Sequence, residues 1–189
     1  MTAGVYAPPW RFSVSDYHRM GEAGIFTEDD RVELIEGEVV DMSPIGSRHA
    51  ACVDKLAGLI RDRTSNHGVI IRVQNPIHLS EFSEPQPDIS ILRARDDFYA
   101  AAHPRPDDVL LVIEVADASM MYDRNIKIPL YARSGITEVW LVDLVRNVVE
   151  VYSSPTTSGY GNQQQFHRGE TAASIALPEL TIAVDEILL

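Results

Sequence analysis

One residue constrains this chain more than any other: Glu114, the lone carboxylate in Val109-Leu110-Leu111-Val112-Ile113-Glu114-Val115. A run so rich in branched aliphatics reads as a buried, central strand. An ionised carboxylate inside it is costly unless it is paired or bound to a cation. A second acid, Asp88, opens another short apolar run, Pro87-Asp88-Ile89-Ser90-Ile91-Leu92, with enough chain between the two for a loop or short helix joining adjacent strands. Two carboxylates about 5 Å apart at an effective dielectric near 20 repel by roughly 3 kcal/mol. A hard cation between them turns that cost into a binding site, with a strand carbonyl and waters completing the oxygen shell. The expected ion is Mg²⁺. The plainer readings, Asp88 capping a strand and Glu114 paired with an arginine, stay open at this level.

Other residues supply the rest of a candidate site. Lys127 offers a compact ammonium suited to stabilising a hydroxide or a pentavalent phosphate. Among 16 basic residues only Lys55 and Lys127 are lysines, so lysine at 127 stands out against an arginine-rich background. Asp123, Lys127 and Tyr131 follow one another at i, i+4, i+8, which puts all three on one face of a continuous helix. Asp123 is then expected to hold Lys127, and Tyr131 to touch substrate; a plain helix ion pair over a packed tyrosine is the alternative. Glu33, in Arg31-Val32-Glu33-Leu34-Ile35-Glu36-Gly37-Glu38, shares its strand face with Ile35 by period-two alternation and is expected to point inward. His49, opening a long helix, is a candidate to orient a phosphate or a water, and Gln74 to donate to a phosphate.

Composition excludes several other chemistries. With 189 residues, 45% hydrophobic and 23% charged, the chain suits one domain with a substantial core. No run approaches a membrane span, and the N-terminus lacks the order of a signal peptide. The single cysteine, Cys52, rules out an internal disulfide framework and fits a reducing cytoplasm. There is no phosphate-cradling glycine loop ending in lysine, no glycine-flanked serine elbow and no paired-histidine zinc helix. The formal charge of −12 argues against nonspecific adhesion to nucleic acid or anionic membranes.

In chain order, residues 1–12 read as an N-terminal arm docked by Trp10, and 13–189 as the domain. Ser13 or Ser15 caps a short helix stopped at Gly24. Arg31–Glu36 and Glu38–Met42 form a tight strand pair, and Ser47 to about Asn66 an amphipathic helix. Strands are expected at Val69–Val73, at Ile77–Leu79, after Asp88 and over Val109–Val115, with a helical turn over Asp96–Ala102. Asp123–Ser134 reads as a helix in which Pro129 either sits in the first turn or imposes a kink. Val139–Asp143 and Val148–Tyr152 form a hairpin, Ser153–Gly169 an exposed loop or a ragged hairpin, and Thr171–Ile175 and Leu180–Val184 short strands. The fold class is α+β, or mixed α/β, around one sheet.

Taken together, four stretches resemble the PD-(D/E)xK nuclease superfamily, and within it the restriction-endonuclease family known as Uma-two. They are Val32 to Glu38; Pro87-Asp88-Ile89-Ser90; Val112-Ile113-Glu114-Val115; and Asp123-Arg124-Asn125-Ile126-Lys127, running on through Tyr131 to Ile136 and Glu138 to Asp143. The resemblance implies a restriction-endonuclease-like core, a mixed sheet flanked by helices, carrying an Mg²⁺-dependent phosphodiesterase site in which Mn²⁺ substitutes. Asp88 and Glu114 would ligate the metal with the Val115 carbonyl nearby, Lys127 would be the catalytic lysine, and Glu33 an additional acid. DNA would be the substrate and a homodimer the working form, so that two sites address two strands. One departure stands out: two residues after Glu114, where the superfamily places its lysine, this chain has Ala116. Lys127 must then reach the site from a helix; failing that, the chain is a nuclease fold without turnover, acting through a protein or nucleic-acid contact.

Overall fold

The structure, a computed structural model, describes residues 8–27, 29–117 and 119–188. It is built on a six-stranded mixed sheet. Helix α1 (Val14–Glu22) begins at Ser13, whose hydroxyl accepts from the Asp16 N–H while the Asp16 carboxylate accepts from the Ser13 N–H, a reciprocal cap. Strands β1 (Val32–Ile35) and β2 (Glu38–Asp41) form a separate antiparallel hairpin, turning at Glu36 and Gly37, both at positive φ. Helix α2 (Ser47–Thr64) follows, then β3 (Val69–Val73), β4 (Ile89–Arg93) and β5 (Val109–Ala116).

After β5 the chain crosses over through a helical segment: α3 (Met120–Tyr122), a wide turn (Asp123–Lys127) and α4 (Ile128–Arg133). It returns as β6 (Glu138–Asp143), parallel to β5, then β7 (Val148–Thr156) and β8 (Gly159–Phe166). The sheet order is β3-β4-β5-β6-β7-β8, antiparallel except for β5–β6. A small second pair, β9 (Thr171–Ala173) with β10 (Thr181–Ala183), leads into a last helical turn, α5 (Val184–Ile187).

Both faces of the sheet are covered, which is why β5 carries almost no polar residues. Odd-numbered β5 residues Leu111, Ile113 and Val115 meet Cys52, Leu56 and Ile60 of α2 and the C-terminal Ile182 and Ile187. Even-numbered Val112 and Ala116 meet Ile128, Leu130 and Tyr131 of the crossover, with Ile35 and Ile77. Glu114 shares the second face by strand alternation.

The expected architecture holds, with local corrections. Among the described residues Ile77–Leu79 pairs with no strand; the Ile77 and Leu79 amides bond to the carbonyls of Pro85 and Ser83 in the same loop, and the His78 amide to that of Pro104. Asp96–Ala102 is a turn rather than a helix, with Phe98 and Tyr99 at positive φ. The polar stretch after Ser153 is a hairpin, and its three glutamines lie on the edge strand β8. Trp10 does not dock the arm: it is 77% exposed. The chain is held there by the Phe12 N–H bonding to the Gly37 carbonyl, and the arm's residues 1–7 lie outside the described residues. Among the described residues no helix is long and apolar enough to cross a membrane.

Candidate active site

Antiparallel pairing sets the first contact. Ile89 lies opposite Ile113, so one step outward brings Asp88 beside Glu114. The Asp88 N–H donates to Glu114 Oε2 at 3.3 Å, and the Val115 N–H donates to Asp88 Oδ2 at 2.9 Å. The two acids are thus tied by the backbone ends of neighbouring strands, both buried.

Lys127 completes the set. It is 4% exposed, with Nζ 2.9 Å from Glu114 Oε1 and 3.4 Å from Glu33 Oε2. The sequence explains how a helix brings it there. Pro129 has no N–H to offer and its ring crowds the carbonyl four residues back. The helix responds with a wide turn in which the Ile128 N–H reaches the Asp123 carbonyl, five residues back; such turns recur at functional sites. Pro129 sits in the first turn of α4, one of the two places its position allowed, directly after the wide turn that carries Lys127. Ala116 is buried at the position two past Glu114, and the lysine enters from above it.

The other candidates divide. Glu33 points inward as alternation requires, and its Oε2 also accepts from the Gln86 N–H at 3.0 Å. His49 Nε2 meets Asp88 Oδ2 at 3.0 Å, and Gln74 Nε2 donates to Asp88 Oδ1 at 3.3 Å from a backbone at φ 52°. Tyr131 differs from expectation: it is fully buried and its hydroxyl donates to Glu114 Oε1 at 2.6 Å, so it steadies Glu114 and does not face substrate. Asp123 also differs. Its Oδ2 accepts from the Ser119 hydroxyl at 2.6 Å, and it makes no direct ion pair with Lys127 among the described residues; the wide turn removes the i, i+4 geometry. Val115 contributes the N–H that holds Asp88 and does not line the cleft.

Glu33, His49, Gln74, Asp88, Glu114, Asp123 and Lys127 line a cleft of about 530 Å³ that also takes in Arg31, Asp117, Ser119, Met121 and Tyr122. Glu33, Asp41, Asp88, Glu114, Asp117 and Asp123 line it against Arg31 and Lys127. Burial outweighs the pull of Lys127 and pushes the Glu114 carboxyl up to about 8. Burial likewise raises Asp123. Burial alone would strip the Lys127 proton, but Glu114, Glu33 and Asp123 overcome it and hold the ammonium charged beyond the range of a free lysine. Burial works against the Asp88 anion as well, yet the His49 hydrogen bond and charge, with the Val115 N–H, keep it below the usual carboxylate range. The same bond raises His49.

The donor set fits a hard divalent ion. Asp88 Oδ1 and Glu114 Oε2 each make a single, long 3.3 Å contact, whereas Asp88 Oδ2 and Glu114 Oε1 are engaged at 2.6–3.0 Å. Two loosely held oxygens from adjacent strands, in a cleft with excess negative charge, are what such an ion requires. His49 Nδ1 and Tyr122 Oη are buried without a hydrogen-bond partner among the described residues, polar groups that a bound ligand or water would satisfy.

Known proteins resemble this chain in sequence and in fold. Residues 14–185 match the Uma2 family, described as "Putative restriction endonuclease". The chain belongs to that family. Of solved structures, it is similar to a crystal structure described as a putative nuclease of DUF820 from Anabaena variabilis ATCC 29413, at 14% identity and a TM-score of 0.71, over 93% of this chain and 97% of the other. No curated protein matches it. Membership of Uma2 supports a nuclease function, and the structural likeness shows the fold.

Sequence reasoning missed Gln86, which holds Glu33 through its own amide N–H and bonds the Val32 carbonyl through its side chain. It also missed Ser119, Tyr122 and Asp117. Ser119 and Asp117 sit in the connection after β5, where no periodicity marks a contact; the only available signal was proximity to Lys127 in sequence.

Proposed function

We propose that this Uma2 member is an Mg²⁺-dependent DNA endonuclease, in which Mn²⁺ substitutes, working as a homodimer with one site for each strand. The observation that carries the reading is the position of Lys127: from the crossover helix its ammonium lies 2.9 Å from Glu114, whose other oxygen meets Asp88 across the strands.

Asp88 and Glu114 would hold the ion. When bound, Mg²⁺ offsets negative charge on the phosphate and makes a water more acidic. The chain's own residues do the rest. Lys127, with its ammonium 3.4 Å from Glu33 and 2.9 Å from Glu114, sets a compact positive charge at the cleft wall where a nonbridging phosphate oxygen would lie. Glu33 and Tyr131 fix that arrangement from either side, one holding the lysine and the other Glu114. His49, bound to Asp88 through Nε2, presents Nδ1 as a free partner for a phosphate oxygen or a water. Gln74 steadies the second Asp88 oxygen.

The test is nicking of supercoiled plasmid with Mg²⁺ or Mn²⁺. The wild type is expected to cut, and Asp88→Ala, Glu114→Ala and Lys127→Ala each to lose on the order of 10³-fold or more. Cutting that survives all three substitutions removes the site.

A second reading is a nuclease fold that binds without turnover. The charge of −12 and Ala116 at the usual lysine position favour it. Calorimetric titration with Mn²⁺ separates the two: no binding at millimolar metal would leave only this second reading.

A further inference from the structure

A second cluster of metal-ligating side chains lies away from the cleft, and none of its members lines it. We propose that His18, Glu84 and His103 form a site for a borderline transition-metal ion, Zn²⁺, that fastens α1 to the loops beside the sheet. One donor atom from each of the three lies within 4.8 Å of the others. A tetrahedral shell with bonds of about 2.1 Å places neighbouring donors about 3.4 Å apart, so small side-chain rotations suffice to close it. Two imidazoles and one carboxylate select Zn²⁺ over Mg²⁺ or Ca²⁺, which prefer oxygen alone.

Glu84 gives the physical reason. Its side chain is 2% exposed, and its ion-pair partners among the described residues are two imidazoles: His18 Nε2 at 2.6 Å from Oε1 and His78 Nδ1 at 3.3 Å from Oε2. A buried carboxylate facing imidazoles needs a cation or a proton to offset its charge. With a metal at Oε1, His78 remains on Oε2 as the outer partner that orients a ligating carboxylate.

The backbone already holds these residues in place. The Glu84 N–H bonds to the Leu34 carbonyl at 2.8 Å, the His78 N–H to the Pro104 carbonyl beside His103 at 2.9 Å, and the Val14 N–H at the start of α1 to the Glu81 carbonyl at 2.8 Å. Three segments distant in sequence thus meet at one point. Leu34 is the neighbour of Glu33, so an ion here would also brace the hairpin that supports Lys127. The exposed side of His18 leaves room for a water beside the three protein ligands, an open shell rather than the closed one of four protein ligands.

The test is Zn²⁺ binding by competition with a chromophoric chelator, on full-length protein, with thermal melting alongside. The wild type and Asp88→Ala are both expected to bind at this site and to melt higher with Zn²⁺. His18→Ala and His103→Ala should each weaken binding by at least about 100-fold and abolish the melting shift, and His78→Ala by about tenfold. His18 is exposed, so its substitution leaves a folded protein even if Glu84→Gln does not. Equal affinity in the wild type, His18→Ala and His103→Ala, no binding at about 100 µM Zn²⁺, or loss of binding in Asp88→Ala alone would overturn the proposal.

Discussion

Glu114 carries the electrostatic strain of the molecule, and its titration has a consequence for stability. Its folded pKa, about 8, lies above the ordinary value of 4.5, so the native state holds a proton that the unfolded chain releases. Stability contributed by that proton is present below about pH 4.5 and is lost as pH rises towards 8. His49, also raised, loses its contribution in the same direction, above its ordinary 6.5. The melting temperature should therefore fall between pH 5 and pH 8, by on the order of 5 °C from Glu114 alone. Glu114→Gln should flatten that fall while leaving the His49 part, and a scan of both proteins across pH checks it; equal slopes would contradict the assignment.

Lys127 is the counterpart. Lys127→Met leaves Glu114 and Glu33 buried without their cation, a loss of about 3–5 kcal/mol. Adding Glu114→Gln should recover most of that stability and none of the cutting activity. Chemical denaturation of the single and double variants measures the first part and plasmid nicking the second.

At the scale of elements, the crossover decides whether Lys127 arrives in register. Pro129→Ala restores an N–H and removes the ring that forces the wide turn, so the segment can relax to an ordinary α-helix. The melting temperature should hold or rise while cutting falls by roughly tenfold or more, because displacement of about 1 Å is costly to catalysis. Unchanged activity would show that the wide turn does not position the lysine.

The same elements show what the sequence could reveal. Alternation in β1 made Glu33 legible, the apolar run made β5 legible, and the Asp88–Glu114 pairing was foreseeable as neighbouring strands. Asp123 was misread because i, i+4 spacing assumes 3.6 residues per turn and the segment from Asp123 to Lys127 is wider; Lys127 and Tyr131 do share a face, both on Glu114 Oε1, and Tyr131 is the packed tyrosine of the alternative. Ile77–Leu79 looked like a strand because its end residues are apolar, but Ile77 packs into the core from a loop whose amides bond to the carbonyls of Pro85, Pro104 and Ser83. The meeting of His18, Glu84 and His103 left no mark in sequence, since it depends on how three separate segments dock.

For the whole molecule, the formal charge of −12 and the acidic cleft predict weak DNA affinity without a divalent ion. Calcium, which fills oxygen sites with little turnover in Mg²⁺ enzymes, should tighten binding at least about tenfold over chelator, read by fluorescence anisotropy at fixed ionic strength. Asp88→Ala should lose most of that gain. A gain preserved in Asp88→Ala would place the ion elsewhere.

A crystal grown with Mn²⁺ tests the central claim most directly, through the anomalous signal of the ion. The account predicts a peak bridging Asp88 Oδ1 and Glu114 Oε2, with the Lys127 ammonium beside it on the Glu33 side. Manganese that leaves both carboxylates in their present bonds to Gln74 and the Asp88 N–H, and settles away from this pair, would contradict it.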